Sequence, residues 1–213
     1  MKLRRLLTAR ATQEPGPTTE PMVAVVGLRN PGPDYEGTRH NIGYQVVSRI
    51  AARAGADLGR APSRVSAQVC KLVRDGRTAL LVAPLAFMNE SGRVVRSVLD
   101  YWKVPTSDLL VIHDDIDLDF GRLRVQVAGG SGGHNGVRSL ERALGTKEFS
   151  RLKIGVGRPP GSIDPADFVL RAFTKKELPE VGLIIEDCAD VVEKWVEDPA
   201  RAQEMAAHRG RDG

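Results

Sequence analysis

An α/β architecture, a single-domain α/β/α sandwich around a central twisted mixed sheet, follows from three features of this 213-residue chain. Apolar runs of strand length, such as Val23–Leu28, Leu109–Ile112 and Leu152–Val156, alternate with stretches whose apolar residues recur at helical spacing. Turn-forming Asn, Asp, Gly and Pro residues separate them. Alternation of this kind lays helices over a largely parallel sheet, and one hairpin signal adds antiparallel pairing.

The elements can be justified in order. Val23–Leu28 is a buried strand, broken by Asn30-Pro31-Gly32. From Asn41 a helix is expected through Ile42, Val46, Val47, Ile50, Ala51 and Ala54, stopping at Gly55. Val65–Val73 and Thr78–Leu85 read as paired strands around an Asp75-Gly76 turn. Asn89-Glu90-Ser91-Gly92 leads into a helix carrying Val94, Val95, Val98, Leu99 and Trp102. Leu109–Ile112 is apolar enough for a sheet centre, and Leu123–Val127 alternates as a further strand. Gly129–Gly136 is a glycine-rich loop opening a helix over Val137–Leu144. After the Leu152–Val156 strand and a Pro/Gly loop at 157–165, Lys175–Val196 is a long amphipathic helix, with a helical or frayed tail from Pro199.

Composition narrows the class. At 41% hydrophobic and 27% charged residues the chain can build a core, which argues against wholesale disorder. Aromatics are 5%, too few for a surface that stacks on single-stranded bases. The formal charge is +4, of which +2 lies in residues 1–21, so any polyanion must be met by clustered cations rather than bulk charge. That first segment lacks the apolar region of a secretory signal and reads as a disordered extension before a 22–208 domain. Met22 directly before the first strand suggests an alternative start, and an organelle transit peptide is the weaker alternative. Cys70 and Cys188 match no zinc or redox spacing, which fits a reducing cytoplasm, and no run reaches transmembrane length.

Polar residues gather where strands give way to helices. Asn30 and His40 lie on the first such loop, Asn89 on the second, and His113-Asp114-Asp115 straight after the central strand. Asn135 closes the glycine loop. An imidazole beside the positive end of a helix is disfavoured as a cation, which suits a proton acceptor. A carboxylate such as Asp114 can hold the Nδ1 proton of a histidine and steady the imidazolium that forms. Plainer readings stand beside these: a turn residue for Asn30, a helix entry for His40, a cap for Asn89 and a structural role for His113. Asp115, Asp117 and Asp119 have calcium-loop spacing, but Phe120 stands where Gly is required and Gln126 where Glu is. The glycine loop could hold an anion on its amides, yet no Gly-Lys-Ser/Thr follows it. One imidazole, one carboxylate and three carboxamides, without a nucleophile elbow, suit direct attack of water on an acyl carbon.

These segments resemble one family, the bacterial-type peptidyl-tRNA hydrolases. The resemblance spans about residues 22–198 and rests on five motifs in order. They are Val26 to Gly32 with Tyr35 and Thr38 to Gly43, Phe87 to Gly92, His113 to Asp117, Gly132 to Gly136, and Ile154 to Pro159. It implies a monomeric enzyme that needs no cofactor or metal and cleaves the ester between a peptide and the terminal ribose of tRNA. By position His40 resembles the catalytic base, Asp114 the residue that holds it, and Asn30 the amide that separates peptidyl from aminoacyl substrates. Tyr35, Phe87, Asn89 and Asn135 match substrate-contact positions, and Arg122, Arg124 and Lys153 are candidates for tRNA phosphates.

The chain departs from that pattern in places. Arg29 replaces a small residue, implying a narrower or more cationic cleft mouth. Gln126 and Ala128 stand where a phosphate-binding lysine is usual, and the N-terminal extension has no family counterpart. A non-catalytic RNA-binding relative, of the chloroplast splicing-factor type, and a nucleotide-binding protein using the glycine loop are the alternatives.

Overall fold

A computed structural model describes residues 8–9, 21–74 and 76–209. The strands are β1 (Thr8–Ala9), β2 (Met22–Gly27), β3 (Gly59–Arg60), β4 (Ala67–Arg74), β5 (Arg77–Pro84), β6 (Leu109–Asp115), β7 (Leu123–Val127) and β8 (Ser150–Gly155). The helices are α1 (Ile42–Arg53), α2 (Ser91–Trp102), α3 (Asn135–Leu144), α4 (Pro165–Val169), α5 (Leu178–Glu197) and α6 (Pro199–His208). The strands form one sheet in the order β1-β4-β5-β2-β6-β8-β7, with β3 pairing on β4. β2 runs parallel to β5 and β6, and β6 parallel to β8, whereas β4–β5 and β7–β8 are antiparallel. The sheet is mixed, as expected.

Each face of the sheet carries its own core. On one side Val25, Leu81, Leu110 and Ile112 pack against Val46 and Ile50 of α1, Ile184 and Val192 of α5, and Ala202 of α6. On the other, Val26, Leu80 and Val111 pack against Val95 and Val98 of α2 and Leu140 of α3. Neighbouring residues of the central strands thus face opposite cores, which is why these strands read as continuous apolar runs. Burying a Val, Leu or Ile side chain in this way contributes about 1.5–3 kcal/mol.

Several boundaries differ from the sequence reading. β6 does not stop at Ile112 but carries His113, Asp114 and Asp115 in register with Lys153, Ile154 and Gly155 of β8. The acids therefore belong to the strand, not to a loop after it. A tight turn of residues Arg39–Asn41 precedes α1, and α3 starts two residues earlier than its apolar pattern. Of the expected extension, Thr8–Ala9 pair with Leu72 and Val73 of β4; the rest lies outside the described residues, as does Asp75 of the β4–β5 turn. No helix among the described residues is long and apolar enough to cross a membrane.

Candidate active site

The carboxyl ends of β2, β5 and β6 lie side by side, and the segments leaving them enclose a cleft of about 730 Å³. Close backbone approach makes this possible. A Cβ on Gly43 would strike the Ile112 carbonyl, and one on Gly27 the Gly43 carbonyl, so glycine at both lets the α1 entrance press onto β2 and β6. That contact brings His40 to Asp114.

His40 Nδ1 lies 2.9 Å from Asp114 Oδ1, and both side chains are almost fully buried. Despite burial, which alone would raise it, the Asp114 carboxyl is held well below the usual carboxylate range by His40 and His134. An ionised carboxylate only accepts, so His40 carries a proton on Nδ1, and in the neutral ring the lone pair is then on Nε2.

His134 is a second partner of Asp114, and the sequence reading missed it. Its Nδ1 accepts from the backbone amides of Gly136 and Val137, capping α3. Its ring proton must then sit on Nε2, which donates to the same Asp114 Oδ1 at 3.0 Å. Burial pushes the His134 imidazole below its ordinary value. The expected amide cradle at the glycine loop is thus filled, at Gly136 and Val137, by the protein's own imidazole.

His40, Asp114 and His134 bring three ligand-type atoms within 4.8 Å of one another. The α3 cap opposes a metal there: with Nδ1 of His134 accepting two amides, a metal on Nε2 would require an imidazolate or loss of the cap. This donor set does not fit a resident cation. His113, expected to be structural, is buried, bonds the Asp114 carbonyl through Nδ1 at 2.7 Å and packs edge-on against His134. Burial lowers it to about 3, so it is neutral.

Asn30 is oriented by its surroundings. Its Oδ1 accepts from Met88 N at 2.8 Å, while Asn41 bonds both its backbone N–H and its carbonyl. With the oxygen committed, Nδ2 is what Asn30 can offer the cleft: donors only. Asn89 and Asn135 line the cleft from the α2 and α3 entrances, exposed, and no other described residue hydrogen-bonds their amides. The α2 cap position falls on Glu90, so Asn89 is not the helix cap. Phe87, 53% exposed, forms an apolar lip of the cleft and is met edge-on by Tyr35, whose ring lies outside it.

The basic candidates sit to one side. Lys153 on β8 is paired with Asp115 at 2.7 Å, Arg124 faces it across the β7–β8 ladder and is exposed, and Arg122 is half-buried before β7. Arg29 does not narrow the mouth as expected; it stacks on Tyr44 at 4.1 Å and reaches Gln68, away from the cleft. Asp164 and Pro165, at the end of the Pro/Gly loop expected at 157–165, form with Ala166, Val169 and Leu170 a wall on and beside α4, and the last three had not been singled out in the sequence. Its five-residue helix carries too little periodicity to read.

Chemically, a carboxylate-held imidazole beside exposed carboxamides is able to take a proton from water with no protein nucleophile. Comparison with known proteins gives the family. The sequence matches the family described as peptidyl-tRNA hydrolase over residues 24–212. It is 51% identical over 178 residues to the peptidyl-tRNA hydrolase of Mycobacterium marinum (strain ATCC BAA-535 / M), covering 84% of this chain and 92% of that protein. With the peptidyl-tRNA hydrolase of Mycobacterium bovis (strain BCG / Pasteur 1173P2) it shares 47% identity over 189 residues, 89% and 98% of the two chains. The crystal structure of peptidyl-tRNA hydrolase from Acinetobacter baumannii superposes with a TM-score of 0.81 at 28% identity, covering 91% of this chain and 98% of that one. The chain belongs to the peptidyl-tRNA hydrolase family.

Proposed function

We propose that this protein hydrolyses the ester between a peptide and the terminal ribose of tRNA, recycling tRNA from prematurely released peptidyl-tRNA. The observation that carries the reading is the 2.9 Å contact of His40 Nδ1 with Asp114, which leaves Nε2 basic inside a cleft lined by free carboxamides. His40 takes a proton from water as the oxygen attacks the acyl carbon. The resulting imidazolium, steadied by Asp114, returns that proton to the departing ribose oxygen. Free peptide acid and tRNA are the products, and His40 is neutral again.

The Asn30 Nδ2 group, a donor fixed by Met88 N, is suited to the acyl oxygen or the first peptide carbonyl. Neutral carboxamides also favour an acylated nitrogen over a free α-ammonium, whose charge would lose water without gaining a counterion. Asn89 and Asn135 bind the substrate, with Phe87 backed by Tyr35 against its apolar part. Arg122, Arg124 and Lys153 serve tRNA phosphates. The body spanning 22–208 acts as a cytoplasmic monomer without metal or cofactor.

Release of peptide from a model peptidyl-tRNA by wild type and His40→Ala tests the reading. A general base is worth about 10²–10⁴-fold, and a loss of that size is expected. Equal cleavage by both proteins removes His40 from the mechanism. TRNA binding without cleavage by either would make this an RNA-binding protein instead.

A further inference from the structure

Arg39 precedes the proposed base in the chain, yet its side chain serves the opposite wall of the cleft. It is 4% exposed, and Nη2 meets both oxygens of Glu177, at 2.8 and 2.9 Å. Nη1 donates to the carbonyls of Arg171 and Ala172, at 3.1 and 2.9 Å. The guanidinium lies over the rings of Phe168 and Phe173, 4.3 and 5.0 Å from their centroids. Backbone pairing reinforces the junction: Arg39 N donates to Arg171 O, Phe173 N to Gly37 O, and Thr38 bridges Ala172.

The partner is prepared for this contact. Thr174 and Glu177 form a reciprocal capping box, Glu177 accepting from Thr174 N at 2.6 Å while Thr174 Oγ1 accepts from Glu177 N. The carboxylate is therefore oriented before Arg39 meets it, and a planar fork against a carboxylate is the strong, directional form of ion pair.

What this clasp secures is α4, a five-residue helix far below the length of about 12–15 residues at which isolated helices hold together in water. Phe168 packs on Arg39, whereas Pro165, Ala166, Val169 and the following Leu170 line the cleft with Phe87.

We propose that Arg39 is a positioning residue that sets substrate affinity, holding the α4 wall at its working distance from His40 through the clasp with Glu177, Arg171 and Ala172. Arg39 does not line the cleft and acts only through that wall. The inference rests on the hydrolase reading and adds to it how one side of the substrate groove is fixed.

Steady-state hydrolysis of peptidyl-tRNA by wild type, Arg39→Lys and Glu177→Gln tests it, with kcat and KM resolved and kcat followed against pH. Lysine keeps the charge but loses the fork, so KM is expected to rise about tenfold while kcat stays within about twofold. Glu177→Gln should raise KM about threefold, and neither variant should move the pH profile of kcat. A fall in kcat at constant KM would overturn the proposal, because the clasp would then act on His40. Unchanged KM in a folded Arg39→Lys also overturns it. If Arg39→Lys is recovered unfolded, Glu177→Gln decides by the same split. Wild type that fails to cleave the substrate would strike the hydrolase reading; active wild type with variants of unchanged KM strikes this inference alone.

Discussion

His40 and Asp114, 74 residues apart, meet through one 2.9 Å hydrogen bond between Nδ1 and a carboxylate oxygen. The bond forms because the α1 entrance, tightened by Gly43, presses on the end of β6. Asp114→Asn keeps an oxygen in place to accept from both imidazoles but removes the charge that steadies the imidazolium. We expect kcat to fall by about 10³–10⁴-fold with KM little changed. A loss below tenfold would mean that the carboxylate's charge is not used in the reaction.

His134 donates to that same oxygen while capping α3, so His134→Ala should have two separable effects. Loss of the cap costs about 1 kcal/mol of stability, read as a lower urea midpoint. Loss of the second donor should lower kcat by less than Asp114→Asn does, since the pair with His40 remains. If His134→Ala matched Asp114→Asn in kcat, His134 would be a full member of the reacting set.

The site was partly readable from the chain, and the failures have physical causes. Asn30, His40, Asn89, Asp114 and Asn135 each stand at or beside a boundary between strand and helix, so local pattern found them, and the structure brings all five to the cleft, all but Asp114 as loop or helix-entry residues. Asp114 itself lies within β6, because two buried imidazole donors stabilise an acid where strand propensity opposes one. His134 escaped notice because its partner lies 20 residues away on another element, which no local spacing encodes. The α4 wall escaped for the reason given by Arg39: its helix is held by a residue more than 130 positions earlier. The three layers, by contrast, were written in the alternation of apolar runs that separates the two cores.

Asn30→Asp is a sharp probe of the amide's direction. The variant retains an oxygen for Met88 N but turns a donor toward the cleft into an anionic acceptor. Cleavage of peptidyl-tRNA should drop by about 10²–10³-fold, the usual size of losing one oxyanion donor. Activity on aminoacyl-tRNA, whose free amine is cationic, should drop less, narrowing the ratio between the two substrates. An unchanged ratio would take Asn30 out of discrimination.

Acid stability should report on the buried histidines. His113 falls from 6.5 to about 3, and burial lowers His134 as well. Below pH 6.5 the unfolded chain binds protons that these folded imidazoles refuse, so stability falls as pH falls, by at most about 1.4 kcal/mol per pH unit for each. For His113 the loss begins near pH 6.5 and levels off below about 3. Asp114 stays ionised in the fold and adds its own loss only as pH falls through the ordinary carboxyl range near 3.8, below the range that the urea midpoints span. Urea midpoints between pH 7 and 4.5 should decline less steeply for His113→Gln than for wild type. Parallel curves would show that His113 exchanges no proton on unfolding.

Salt dependence separates the basic residues beside the cleft. Arg124 is exposed on β7, so Arg124→Ala should weaken tRNA binding and reduce the slope of log affinity against log salt by about one. Lys153 faces Arg124 across the ladder but is paired with Asp115 and only 13% exposed. Its removal leaves Asp115, a carboxyl held below its usual range chiefly by Lys153, without that partner. Lys153→Ala should therefore cost stability, about 1–3 kcal/mol for an uncompensated buried group, as well as affinity. Lys153→Ala and Asp115→Asn combined should restore part of the stability but none of the salt slope, because the phosphate contact is gone while the buried charge is relieved. Recovery of the slope in the double variant would assign Lys153 to the fold alone, and an unchanged slope in Arg124→Ala would move the phosphate contact off β7.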